Sequence, residues 1–206
     1  MISTTVFDLG GVVVPEPEGG LWERILSDLS GRYGLDRRAL EYALEERKNQ
    51  VQTGKESLKD FYRSVLASLH MAAPKPENLV KFHLKAYSKY CGKYDRDVLD
   101  LIEHLKERYH VVCLTNTEPE VAEFNRKRGL FDYFERAFIS SETGLAKPDP
   151  ESYRMLLNEL DIGPEEAVFI DDNEVYVKAA EKIGIHGIVY RDVNQLKGEL
   201  NSFGVF

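Results

Sequence analysis

Five short apolar runs rich in β-branched residues recur along this chain, each followed by a helical pattern, and this alternation limits the fold more than any other feature. The runs are Thr4–Phe7, His110–Leu114, Ala137–Ser140, Ala167–Ile170 and Gly187–Tyr190. Their near-continuous apolarity is that of strands covered on both faces, as in a parallel sheet. Between them, Val98, Leu101, Ile102 and Leu105 fall at i, i+3, i+4, i+7, and Tyr153, Leu156, Leu157 and Leu160 repeat that spacing. Thr117-Glu118-Pro119-Glu120 reads as a capping box opening the helix after the second strand, and Gly184 as the stop of the helix after the fourth. The pattern predicts a doubly wound, Rossmann-like α/β fold.

The stretch from about Glu18 to Cys91 breaks that rhythm with helical patterns and no convincing strand. Leu21, Trp22, Ile25, Leu26 and Leu29 form one stripe; Ala39, Leu40, Ala43 and Leu44 form a second. Leu58, Phe61, Tyr62, Val65, Leu66 and Leu69 form a third behind a cap at Ser57, and Leu79, Phe82, Ala86, Tyr87 and Tyr90 a fourth. Four amphipathic helices need a common interior, so a small helical bundle is expected as an insert between the first two strands. The expected division is an α/β core of residues 1–16 and 92–206 with an insert of residues 17–91. Pro15-Glu16-Pro17 and Cys91-Gly92-Lys93 would be its hinges, and Trp22 is expected in its core.

At 206 residues the chain can bury a sizeable core. A net charge of −8 argues against a nucleic-acid or acidic-membrane partner, which needs a basic face. Two cysteines, Cys91 and Cys113, are too few for a disulfide framework and read as reduced thiols. No stretch approaches the ~20 apolar residues of a membrane span, and Met1 leads directly into the first strand. A soluble cytoplasmic protein is expected, its oligomeric state left open.

Four polar signals sit at strand ends. Asp8 follows the first run, and by itself it has the alternative of capping a helix. Thr115-Asn116 follows the second, where small polar residues commonly begin turns. Lys147-Pro148-Asp149-Pro150 follows the third, and Asp171-Asp172 ends the fourth. Two adjacent acids there repel each other unless a cation lies beside them. In an open parallel sheet the C-terminal strand ends face one crevice, where ligands bind. The crevice would then hold a carboxylate nucleophile, a hydroxyl, an amide, an ammonium and a carboxylate pair. Hard oxygen ligands suit Mg²⁺, and the lysine, hydroxyl and backbone N–H groups suit a phosphate. Mg²⁺ would offset the repulsion between anionic Asp8 and a phosphoryl group.

In these four motifs the chain resembles the haloacid dehalogenase superfamily of hydrolases. They are Phe7-Asp8-Leu9-Gly10-Gly11-Val12, Leu114-Thr115-Asn116, Ala146-Lys147-Pro148-Asp149 and Phe169-Ile170-Asp171-Asp172-Asn173, and their order and spacing cover Val6 to about Gly187. Ser140-Ser141-Glu142-Thr143-Gly144-Leu145 also looks like the family. The insert looks like the cap of the branch that carries its cap between the first two motifs. Within that branch the chain resembles glucose-1-phosphate phosphatase-like members and the phosphatase domain of mammalian soluble epoxide hydrolase. The resemblance implies a Mg²⁺-dependent phosphatase acting on a small phosphorylated metabolite, a sugar phosphate being one candidate. Asp8 would attack phosphorus to give an aspartyl-phosphate, Thr115 and Asn116 would hold phosphate oxygens, and Lys147 would bind phosphate and Asp8. Asp172 would ligate the metal with Asp8 and the Gly10 carbonyl, with Asp171 in the outer shell or as a further ligand; the two could exchange roles.

Two positions depart from the family pattern. Gly10 stands where phosphatases of this family carry the Asp that protonates the leaving group and then activates water, a function typically worth ~10²–10⁴-fold. Glu16 and Glu18, on the hinge, are replacements by position. Tyr176 stands where related chains often carry Asn. In the insert, the Thr53-Gly54-Lys55 turn would face the site, and Arg47 and Lys48 would meet a polar or anionic substrate or form a solvated turn. Two other readings remain: a dehalogenase using Asp8 on carbon, which the acid pair opposes, and a metal- and ligand-binding protein with little turnover, which Gly10 favours.

Overall fold

Each apolar run forms a strand. In the computed structural model, which describes residues 1–205, β1 is Thr4–Phe7, β2 His110–Thr115, β3 Arg136–Ile139, β4 Ala167–Asp171 and β5 His186–Val189. Every pairing is parallel, in the order β3-β2-β1-β4-β5. The chain runs from central β1 out to one edge and then crosses to β4 on the other side. Strand order thus reverses between β1 and β4, the place where such sheets open a crevice.

Helices α1 (Leu21–Tyr33), α2 (Arg37–Gln52), α3 (Leu58–Ser68) and α4 (Pro76–Cys91) lie between β1 and β2, and α5 (Arg96–Leu105) leads into β2. Helix α6 (Pro119–Lys127) joins β2 to β3, and α7 (Ser140–Thr143) and α8 (Pro150–Leu160) join β3 to β4. Helix α9 (Glu174–Glu181) precedes β5, and α10 (Val193–Ser202) follows it. Alternate residues of β2 face opposite sides, as a pleated strand requires. Val111 and Cys113 pack with Val98, Ile102, Leu196 and Leu200 on one face; Val112 and Leu114 pack with Tyr153, Leu156, Val177 and Ala180 on the other.

A separate apolar cluster fills the space between α1 and α4, centred on Ile25, Leu29, Leu40, Phe61, Tyr62, Val65 and Leu79, all buried. Each such side chain contributes about 1.5–3 kcal/mol on burial, enough to hold four helices without a strand among them. Ser57 caps α3 by accepting from the Asp60 N–H at 3.1 Å. The expected capping box at Thr117 does not form. Helix α6 starts at Pro119 with Glu118 at its N-cap and no side-chain cap bond, and the Thr117 N–H donates to Ser140 Oγ at 3.0 Å. Pro119 already supplies the φ of a first helical residue and has no N–H to cap. Strands β2 and β4 run one residue beyond their expected ends, which makes Thr115 and Asp171 terminal strand residues. Ser140, expected in β3, opens α7 instead. Cys91 and Cys113 are buried and unpaired. Among the described residues no helix is long and apolar enough to cross a membrane.

Candidate active site

Asp8 leaves the central strand at the strand-order reversal, with its N–H donating to Ile170 O at 2.8 Å and its Oδ1 accepting from the Leu9 N–H at 2.7 Å. Lys147, fully buried, sets its Nζ 2.9 Å from Asp8 Oδ1 and 2.6 Å from Asp171 Oδ2. Asn116 holds that lysine by its backbone: Nδ2 donates to Lys147 O at 2.7 Å and Oδ1 accepts from Lys147 N at 2.9 Å. The Asn116 side chain is thereby engaged in placing Lys147. The rings of Phe169 and Tyr176 lie 5.3 and 5.2 Å from Nζ, near enough for their faces to favour the cation.

Burial works against the Lys147 charge, but Asp8 and Asp171 outweigh it and raise its pKa. Asp171 is also raised, by burial first and the Asp8 charge second, against the pull of Lys147. One ammonium serves two carboxylates, and the deeper of them is left undercompensated. Asp172 is raised for the same two reasons, burial and Asp8.

Asp8, Asp171 and Asp172 each offer an oxygen atom, and the three lie within 4.8 Å of one another. Both Asp171 oxygens are engaged, Oδ2 with Lys147 and Oδ1 with the Asn173 N–H at 2.8 Å. Asp172 instead opens to solvent and packs against Gly11, whose φ of +73° and lack of a side chain leave it room. A hard, multiply charged oxygen set with one member facing solvent fits Mg²⁺.

Asp8, Gly10, Thr115, Asn116 and Asp172 line one cleft of about 340 Å³. The helices between β1 and β2 close its other side through Trp22, Glu23, Lys48, Gln52 and Tyr87. Trp22 is partly packed in the helical core, as expected, but it also lines the cleft and donates from Nε1 to Glu118 Oε1 at 3.1 Å. Further bonds tie these helices to α6 and α7: Tyr87 Oη donates to Asn125 Oδ1 at 3.0 Å, the Leu58 N–H donates to Glu120 Oε1 at 3.1 Å, and Ser140 Oγ donates to Gln52 O at 2.6 Å. Lys48 reaches the cleft, whereas Arg47 pairs with Glu56 through Nε at 2.9 Å and does not line it. Thr53 and Lys55 line a neighbouring hollow with Lys147 and Tyr176. Of the two hinge carboxylates, Glu16 lines the cleft and Glu18 does not.

Residues 2–184 match the family model of haloacid dehalogenase-like hydrolases. The chain belongs to that family. It is 27% identical to D-ribitol-5-phosphate phosphatase of Bacteroides thetaiotaomicron over 89% of each chain. It is 31% identical to bifunctional epoxide hydrolase 2 of Sus scrofa over 61% of its own length and 24% of that protein's. A haloacid dehalogenase family enzyme of B. thetaiotaomicron, solved with magnesium and inorganic phosphate, superposes with a TM-score of 0.77 at 25% identity, covering 95% of this chain and 99% of the other.

Three groups in the cleft of this hydrolase escape a reading of strand ends. Glu118, 4% exposed and raised by burial, meets Trp22 across the cleft. Asn125 and Tyr87 form the second pair across it. The sequence signal of Glu118 and Asn125 is faint, two polar residues at the start of and within the helix after the second motif, and Tyr87 reads there only as part of an apolar stripe. Tyr176 stands beside the Lys147 ammonium, so its support goes to the lysine.

Proposed function

We propose that this hydrolase is a Mg²⁺-dependent phosphatase of small, polyhydroxylated phosphomonoesters. The observation that carries the reading is the contact of Asp8 with a buried lysine at 2.9 Å, beside an Asp172 carboxylate that faces the same cleft. Asp8 and Asp172, with the Gly10 carbonyl, would hold Mg²⁺, which when bound would offset the charge between Asp8 and the phosphoryl group. Asp171 would act behind them, its two oxygens committed to Lys147 and Asn173. Asp8 attacks phosphorus and the ester oxygen departs, leaving an aspartyl-phosphate that water then cleaves. Thr115 at the end of β2, together with backbone N–H groups of the second motif, receives the phosphate oxygens, and Lys147 orients Asp8.

The cleft wall and the relatives support this substrate class. Glu118 and Gln52 recognise hydroxyls, and the exposed Glu23 carboxylate disfavours a second anionic group. That favours a phosphorylated sugar or sugar alcohol, the class named for the ribitol-5-phosphate relative. Residues 17–91 would act as a cap over residues 1–16 and 92–206, closing the cleft by the Trp22–Glu118 and Tyr87–Asn125 bonds. A cytoplasmic location, where the thiols of Cys91 and Cys113 stay reduced, belongs to the same reading.

The test is phosphate release from a panel of sugar, sugar-alcohol and aryl phosphates. Activity is expected with Mg²⁺, lost in EDTA and lost in Asp8→Asn. Metal-independent turnover of a haloacid, or Mg²⁺ binding with no hydrolysis across the panel, would overturn it.

A further inference from the structure

The phosphatase reading leaves one part unassigned: no side chain stands at residue 10 to serve the leaving group. Three features of this chain fill that place. The first is the path of the backbone. After β1 the Leu9 carbonyl accepts from the Val13 and Val14 N–H groups at 2.9 and 2.7 Å, and the Gly11 N–H donates to Val14 O at 2.9 Å. This tight turn folds the chain back on itself, with Gly10 bridged to Val14, and delivers residue 16 above residue 10. Pro17 then disfavours a helical backbone at Glu16, so the hinge is held extended.

The second feature is the seat itself. A Cβ on Gly10 would meet Glu16 Oε1 at 2.8 Å and Glu16 Cδ at 3.7 Å, with no other non-neighbouring atom of the described residues within 4 Å. The Glu16 carboxyl thus fills the space that a side chain on residue 10 would enter. The third is access. Glu16 is solvent-exposed, lines the same cleft as Asp8, Thr115 and Asp172, and makes no ion pair among the described residues.

Resting on the phosphatase reading, we infer that Glu16 is the acid and base of this reaction, reaching from the hinge into the seat that Gly10 leaves open. In the first step Asp8 forms a bond to phosphorus, the phosphorus–ester oxygen bond breaks, and the departing oxygen takes the proton of the Glu16 carboxyl to leave as an alcohol. In the second step the Glu16 carboxylate takes a proton from water. The water oxygen bonds to phosphorus, the bond to Asp8 breaks, inorganic phosphate leaves, and Asp8 is again a carboxylate with Glu16 again protonated. Glu16 lies on the segment between β1 and α1, so the acid is supplied by that segment and not by the strand end.

The experiment compares wild type, Glu16→Gln, Glu16→Ala and Glu16→Ala/Gly10→Asp, with Mg²⁺ affinity measured by calorimetry. On an alkyl phosphate, kcat of Glu16→Gln falls by about 10²–10⁴-fold. On 4-nitrophenyl phosphate, whose leaving group needs no proton, the phosphorylation step falls less. The variant then shows a burst of nitrophenol equal to the enzyme present, followed by slow turnover, because water is no longer activated. Glu16→Ala vacates the seat, so Gly10→Asp in that background recovers turnover. Wild-type kcat in Glu16→Gln on the alkyl phosphate overturns the assignment. So does an equal loss on both substrates without a burst, or a loss of Mg²⁺ binding. A wild type inactive on every phosphomonoester overturns the phosphatase reading instead, and this assignment falls with it.

Discussion

The Lys147 ammonium lies closer to Asp171, at 2.6 Å, than to Asp8, at 2.9 Å. The group expected to orient the nucleophile is therefore anchored from behind, by a carboxylate that has no exposure of its own. Removing one member of a buried charge set exposes the mutual repulsion of the rest, at a cost of about 3–5 kcal/mol. Lys147→Gln is expected to lose stability of that order in Mg²⁺-free buffer, because Asp8, Asp171 and Asp172 then face one another without a cation. Added Mg²⁺ should recover more stability in the variant than in the wild type. Urea unfolding with and without Mg²⁺ checks both expectations; a variant as stable as the wild type without metal would contradict them.

Gly11 offers a second test. Its φ is +73°, and any Cβ there would collide with the Asp172 carboxylate. Gly144 has a similar φ of +76°, and among the described residues nothing lies within 4 Å of where its Cβ would stand. Alanine at residue 144 should cost only the left-handed backbone penalty, about 1–2 kcal/mol. Alanine at residue 11 should cost more and should also displace Asp172, weakening Mg²⁺ binding. Calorimetric titration of the two variants separates the effects, and equal Mg²⁺ affinities would rule out the displacement.

The strand-end residues Asp8, Thr115 and Asp171 were legible because a parallel sheet brings its C-terminal ends together whatever its loops do, whereas Lys147 comes from the loop between α7 and α8. Asp172 and Asn116 follow from the same rule one residue later. The remainder depends on how the helical insert meets the sheet, which no local period encodes. Glu118 looked like part of a capping box, yet Pro119 had already set the helix start and Glu118 was free to meet Trp22. Arg47 and Lys48 are neighbours in sequence but separate in the fold, because Glu56 claims the first. Gly10 looked like an absence. Only the turn from Leu9 to Val14 turns that absence into room for Glu16.

The Trp22–Glu118 bond joins α1 to the start of α6 at 3.1 Å. Trp22→Phe keeps the apolar body but leaves a buried carboxylate without its donor, an uncompensated polar group costing about 1–3 kcal/mol. The same change in a Glu118→Gln background should cost less, since a neutral amide is easier to leave unpaired. A double-mutant cycle by urea unfolding measures the difference, with a coupling of about 0.5–3 kcal/mol expected for groups in contact. A coupling of zero would mean that the bond contributes nothing to holding the insert against the sheet.

His83 should give the helical insert a distinctive response to acid. It is fully buried in α4, its Nδ1 pairs with Tyr62 Oη at 2.9 Å, its Nε2 has no partner among the described residues, and the Trp22 ring stands edge-on at 4.7 Å. Burial holds its pKa down at about 3, against 6.5 in the unfolded chain. The Tyr62 hydroxyl is held protonated by its own burial, so it donates to Nδ1 and the imidazole stays neutral. As pH falls below about 6.5, the unfolded chain takes up a proton that the folded chain refuses until about 3. Folding stability therefore drops with acid across that window, by about 1.4 kcal/mol per pH unit for this one group. Unfolding free energies of wild type and His83→Gln, measured between pH 6 and pH 4, should differ in slope by about one proton, the wild type falling faster. Equal slopes would mean that the ring gains a proton in the folded state as readily as it does unfolded.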